Sequence, residues 1–182
     1  MSFSIKDNLL IGAIQKVSPN CSQRGNAEQI DLLIIHNISL PPGEFETGYV
    51  EQLFCNKLSP KDHPYFAEIS HLKVSSHLFI SRAGEVTQFV PLDKKAWHAG
   101  ESTFDGKENC NEFSIGIELE GTDYERFTDI QYKKLIIITN LLIQEYPGLN
   151  SRRIVGHSDV SPGRKTDPGP YFEWDNYRKF VN

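Results

Sequence analysis

Cysteine is scarce in this 182-residue chain: Cys21, Cys55 and Cys110 stand far apart, with no C-x-x-C pair. An odd, scattered set suits reduced cytoplasmic thiols better than a disulfide framework or a thiolate zinc site. Long apolar runs are absent too. Nothing approaches the roughly 18 residues a membrane span needs. The opening Met1-Ser2-Phe3-Ser4-Ile5-Lys6-Asp7 has no basic n-region, and Leu9-Leu10-Ile11 is too short for an h-region. The expectation is a cytoplasmic protein with no membrane partner. Basic charge is also in deficit, with 19 Lys+Arg against 24 Asp+Glu and a net of -5. Nucleic-acid binders normally carry the opposite balance, so no nucleic-acid partner is expected. Linkers rich in Gly, Ser or Pro are missing, as are internal repeats. So are H-E-x-x-H, the P-loop, G-x-S-x-G and G-x-G-x-x-G, which removes the simplest routes to zincin, nucleotide-binding and hydrolase-elbow chemistry.

What the chain does contain is core material. It has 11 Phe, 7 Tyr and 2 Trp, with 38% hydrophobic residues overall, enough to exclude disorder. Ile30 to His36 is a short apolar run ending in a polar residue, as a buried strand does at its edge. Ser75 to Ile80 and Glu85 to Val90 flank Ser81-Arg82-Ala83-Gly84 and predict a hairpin. Phe113 to Glu120 alternates, with Ile115, Ile117 and Leu119 on one face and Gly116, Glu118 and Glu120 on the other. Thr128-Asp129-Ile130-Gln131 fits a capping box ahead of a helix through Tyr132 to Tyr146, stopped by Pro147-Gly148. Trp174 to Phe180 predicts a closing helix. Long loops at 40–46, 58–65 and 163–171 are functional candidates. Together these predict an α/β (α+β) fold, one domain over residues 1–182 with a central mixed, partly antiparallel sheet flanked by helices.

Six histidines remain to be explained. His36 and His157 each end an apolar stretch, and Asp167 follows ten residues after the second, inside Lys165-Thr166-Asp167-Pro168-Gly169-Pro170. Two imidazoles and one carboxylate make a catalytic zinc set with a fourth position open. The same residues also read as hydrogen-bonded histidines at strand ends and a turn aspartate, and spacing alone leaves both readings open. Glu118 is either half of a solvated edge pair with Glu120 or a general base whose pKa is raised by burial or by its neighbour. Lys165 is a surface lysine or an oxyanion stabiliser. His63, His71 and His77 read as structural, while Trp97-His98 is either packing or a flat face in a cleft.

Several blocks together resemble one family. These are His36-Asn37-Ile38-Ser39-Leu40-Pro41-Pro42-Gly43-Glu44-Phe45, His63-Pro64-Tyr65-Phe66, Val74-Ser75-Ser76-His77 and Ala96-Trp97-His98-Ala99-Gly100. They continue through Phe113 to Asp123, Gly156-His157 and Arg164 to Pro170. In this order, from about residue 30 to the C-terminus, they resemble the AmpD-type 1,6-anhydro-N-acetylmuramyl-L-alanine amidases. The resemblance implies the fold of peptidoglycan-recognition-type amidases and a zinc-bearing cleft. Carried over by position, it implies zinc ligands His36, His157 and Asp167, a catalytic Glu118 and a catalytic Lys165. It implies a muropeptide substrate, with Asn37, Lys73, Trp97 and His98 as candidate contacts. Two positions depart from the family pattern: arginines often stand where this chain has Lys73 and Asn109. Lys73 keeps the charge without the bidentate fork, and Asn109 loses both.

The reaction so implied is hydrolysis of the amide between anhydromuramic acid and the first L-Ala of a stem peptide, in cytoplasmic peptidoglycan recycling. The competing readings are a non-catalytic muropeptide-binding module of the same fold and an amidase acting on intact peptidoglycan.

Overall fold

A computed structural model describes residues 2–25 and 29–181; Met1 and Asn182, the ends of the expected domain, lie outside them. Six strands form the central sheet: β1 (Ile14–Gln15), β2 (Leu32–Ile38), β3 (Leu78–Ile80), β4 (Val86–Gln88), β5 (Ser114–Glu120) and β6 (Ile154–Gly156). Their spatial order is β6-β2-β5-β3-β4-β1. The first four in that order run parallel, β4 returns antiparallel to β3, and β1 runs parallel to β4. Mixed connectivity is thus as expected, with one antiparallel hairpin. Its turn closes through the Ser81 N–H to the Glu85 carbonyl at 2.9 Å.

Parallel strands need cover on both faces, and β2 shows it in its nearly continuous apolar sequence. One face carries Leu33, Ile35, Ile115, Ile117 and Leu119 against the helix α3 (Asp129–Glu145), which contributes Leu135, Ile138 and Leu142 to the same core. The opposite face carries Leu32 and Ile34 with Phe113 and Val155, and beyond them the polar residues His36 and Glu118. The alternation along β5 is therefore real, yet every residue of the strand is buried. Glu118 and Glu120 are 8% and 3% exposed, which corrects the picture of a solvated edge pair. The physical reason is position: β5 lies between β2 and β3, not at an edge. Glu120 is satisfied by the backbone N–H groups of Glu46 and Arg82.

The capping box forms as expected. Thr128 Oγ1 accepts from the Gln131 N–H at 3.2 Å, and Gln131 Oε1 accepts from the Thr128 N–H at 3.0 Å. Gln131 then uses its remaining amide nitrogen on the carbonyls of Ile80 and Glu120, so the cap also fastens α3 to the ends of β3 and β5. Three short helices, α1 (Tyr49–Phe54), α2 (Phe66–Ile69) and α4 (His157–Val160), precede and follow it in the chain, and α5 (Trp174–Arg178) closes it. Among the described residues no helix is long and apolar enough to cross a membrane, and the three cysteines are unpaired.

Candidate active site

The parallel strands deliver their carboxyl ends to one edge of the sheet, the place where open α/β sheets present ligand sites. His36 projects from β2, and Glu118 is its register partner on β5. His157 is the first residue after β6, at the start of α4. Asp167 arrives from the following loop, whose backbone is tied back by the Ser158 N–H to the Asp167 carbonyl at 3.0 Å. Gly169 lets this loop lie against its neighbour. Its φ is +81°, and a Cβ there would fall 2.5 Å from the Asp123 Cα.

The three expected ligands meet. His36 Nδ1 lies 3.0 Å from His157 Nδ1 and 3.2 Å from Asp167 Oδ2, and His157 Nδ1 lies 3.1 Å from the same oxygen. Each imidazole turns its other nitrogen away. His157 Nε2 faces the Ala99 carbonyl at 3.0 Å, and His36 Nε2 faces His98 Nδ1 at 2.9 Å. A neutral His157 that donates its Nε2–H to the Ala99 carbonyl keeps that proton off Nδ1, the atom that lies beside His36 Nδ1 and the Asp167 carboxylate. Such a convergence of donors calls for a cation, and this group can hold a metal ion. Its spacing is close to the donor–donor edge of about 3.3 Å that a tetrahedral ion at ~2.0–2.1 Å requires.

The electrostatics agree. Burial holds the His36 imidazole down at about 4, helped by the charges of His157 and Lys165 and opposed by Asp167, so it is neutral and able to ligate at neutral pH. Burial raises the Asp167 carboxyl, but its bonds to His157 and His36 outweigh that and keep it below the usual carboxylate range. Glu118 behaves in the opposite way. Burial, reinforced by the negative charge of Asp167 and only partly offset by Lys165, pushes its carboxyl well above the usual range. Its Oε2 is buried with no hydrogen-bonding partner among the described residues.

All five residues line a cleft of about 940 Å³. Lys165 is exposed at its surface. Asn37 and Trp97 also line it. Asn37 Nδ2 donates to Asp123 Oδ1 at 2.7 Å, and Trp97 Nε1 donates to Ser22 Oγ at 3.3 Å. Tyr65, Ile69, Leu72 and Val74 give part of the wall an apolar character. His98 reaches the cleft, but both its ring nitrogens already face protein groups, His36 Nε2 and Ser114 Oγ. Lys73 is exposed and is not among the cleft-lining residues, although Leu72 and Val74 on either side are. Asn109 is also outside the lining, in a left-handed turn with φ 58°, a conformation asparagine tolerates. His77 is structural as expected, buried between the Gly116 N–H and the Lys94 carbonyl.

Sequence reasoning missed Arg164, whose guanidinium donates to the same Ala99 carbonyl that His157 uses. It also missed Asn111 and Ser114, and the rim residues Asp123 and Tyr124. A signal existed for Arg164: Gly100 takes a φ of +59°, and a Cβ there would lie 3.3 Å from the Arg164 guanidinium.

The N-acetylmuramoyl-L-alanine amidase family model matches residues 26–170. The chain is 49% identical over 178 residues to the 1,6-anhydro-N-acetylmuramyl-L-alanine amidase AmpD of Escherichia coli (strain K12), covering 98% of this chain and 97% of that protein. A crystal structure of a selenomethionine AmpD derivative superposes with a TM-score of 0.95 at 49% identity, covering 98% and 99% of the two chains. The E. coli amidase AmiD, solved in complex with anhydro-N-acetylmuramic acid-L-Ala-D-gamma-Glu-L-Lys, is more distant. Its TM-score is 0.62 at 26% identity, over 98% of this chain and 65% of that one. With the donor triad, the buried carboxylate and the cleft in place, the chain belongs to the N-acetylmuramoyl-L-alanine amidase family.

Proposed function

We propose that this chain, acting as one amidase domain over residues 1–182, hydrolyses the amide between 1,6-anhydro-N-acetylmuramic acid and the L-Ala of its stem peptide. The observation that carries the reading is one juxtaposition. A His36–His157–Asp167 donor triad stands beside a buried Glu118 carboxylate oxygen that has no hydrogen-bonding partner among the described residues and an exposed Lys165, in a single cleft. The similarity to AmpD and the anhydromuramyl peptide held by AmiD support the substrate.

Two imidazoles, one carboxylate and an open fourth position fit zinc best. When bound there, zinc supplies Lewis acidity that acidifies water and polarises a carbonyl oxygen. The remaining chemistry belongs to side chains. Glu118 takes a proton from the attacking water as the new C–O bond forms, and its raised pKa makes it a stronger base than an exposed carboxylate. The Lys165 ammonium faces the carbonyl oxygen as that oxygen gains negative charge. Glu118 then gives its proton to the departing L-Ala nitrogen as the C–N bond breaks, which restores the carboxylate. Asn37 and Trp97, on the cleft wall, contact the substrate. Lys73, outside the lining, has no contact role in this reading.

The non-catalytic alternative leaves Glu118 unexplained, because a binding module gains nothing from an orphaned buried carboxylate oxygen. The proposed setting is cytoplasmic turnover of soluble wall fragments. Chelation tests the mechanism: turnover should vanish with zinc removal and return with zinc, and a rate indifferent to chelator would reject it.

A further inference from the structure

A ligand histidine binds a cation only through the nitrogen that carries no proton, so something must hold the proton on the other one. For His157 the holder is the Ala99 carbonyl, 3.0 Å from Nε2. For His36 the group facing Nε2 is the side chain of the preceding residue, His98, whose Nδ1 is 2.9 Å away. Two adjacent residues thus meet two ligands that lie 121 positions apart in the chain.

The rest of the surroundings orient His98 for this task. Its Nε2 faces Ser114 Oγ at 3.2 Å, an oxygen able to accept a hydrogen bond from Nε2–H, which leaves Nδ1 as the acceptor for His36. The two rings meet edge to face, centroids 5.0 Å apart. The His98 ring lies over Gly116, where a Cβ would come within 2.6 Å of its Cγ and Nδ1. The backbone is clamped as well. Asn111 Oδ1 accepts from the His98 N–H at 3.1 Å and from the Ala99 N–H at 2.8 Å. The segment carrying Asn111 is pinned in turn by Arg24, which donates to the carbonyls of Asn111, Glu112 and Ser114.

We propose that the dipeptide His98–Ala99, anchored by Asn111, is the positioning element of the metal site. His98 Nδ1 and the Ala99 carbonyl each accept a hydrogen bond from the Nε2–H of one ligand histidine and so commit both Nδ1 atoms to the ion. His98 is then a positioning residue, not a substrate contact. The inference rests on the zinc reading above, and one titration separates the two.

The metal-free parent, His98→Leu and His98→Asn are titrated with zinc against a competing chelator, and the melting of each metal-free protein is recorded. If the parent takes up no zinc, the functional reading fails. If it binds one equivalent, His98→Leu should lose about 10–100-fold in affinity, the usual cost of an outer ligand partner. His98→Asn, whose Oδ1 can stand in for Nδ1, should recover most of that loss. A merely structural role for the ring predicts no such rescue. Parent-like affinity in His98→Leu, or equal losses in both variants, overturns the proposal. If His98→Leu does not fold, Asn111→Ala replaces it: the ring is kept, its anchor is lost, and the same fall in affinity is expected. Parent-like affinity in that variant overturns the proposal equally.

Discussion

Glu118 and His36 are register partners on adjacent parallel strands, so the proposed proton acceptor and one of the proposed metal ligands leave the same face of the sheet at the same level. Their relative position is fixed by the ladder between β2 and β5 and not by any loop. The division of labour between them can be tested by changing either one alone.

Glu118→Gln should keep the ligand triad and its zinc while lowering kcat by at least about 10²-fold, the scale of a lost general base. Zinc content by atomic absorption and turnover on an anhydromuropeptide check this together. Loss of zinc in this variant would show that Glu118 holds the site and does not run the reaction.

The same residue makes the metal-free protein pH-sensitive. Burial raises the folded pKa of Glu118 above its unfolded value, so between those values the native state binds more protons than the unfolded chain. Stability from this group is therefore greatest at low pH and falls as pH rises through the window. Metal-free Glu118→Gln should lack that fall and melt higher than the parent near neutral pH. Equal melting temperatures for the two at neutral pH would mean that the buried carboxylate costs nothing.

Lys165→Ala should reduce kcat by about 10²–10³-fold, as for removal of one oxyanion donor, with zinc affinity and fold retained because Lys165 is exposed. A change confined to KM would reassign Lys165 to substrate binding.

His157→Ala removes a ligand atom that lies within 3.1 Å of both other donors. Zinc and activity should be lost together, and added zinc should not restore turnover at concentrations that reload the chelated parent.

Gly169→Ala tests the loop that brings in Asp167. Its φ is +81° and the added Cβ would meet the Asp123 backbone at 2.5 Å, so the fold should lose more than about 1 kcal/mol. Zinc affinity should fall as Asp167 shifts; an unperturbed melting curve would show that the loop yields freely.

Local patterns were legible in the sequence where local physics decides them. The capping box at Thr128 and Gln131, the hairpin turn at Ser81 to Gly84 and the alternation along Phe113 to Glu120 are each set by residues a few positions apart. Environment was not legible. Nothing within Phe113 to Glu120 says that β2 and β3 flank it, and that flanking turns Glu118 from a solvated residue into a buried carboxyl group. Likewise His36, His157 and Asp167 supply the right donors, but only the shared edge of two adjacent parallel strands and the loop folded back onto it bring them within 3.2 Å. The family resemblance supplied the choice that spacing left open. It did not supply the contacts that His98 and Ala99 make to the His36 and His157 imidazoles, because a backbone carbonyl carries no signature in sequence.

The central claim is amide hydrolysis at the junction of the anhydro sugar and L-Ala. Mass spectrometry of products from an anhydromuropeptide and its non-anhydro counterpart, each with and without chelator, tests it most directly. Free stem peptide and anhydromuramic acid from the anhydro substrate alone, and only without chelator, are the predicted result. An intact anhydromuropeptide after incubation with the zinc-loaded protein, or cleavage at any other bond, would contradict it.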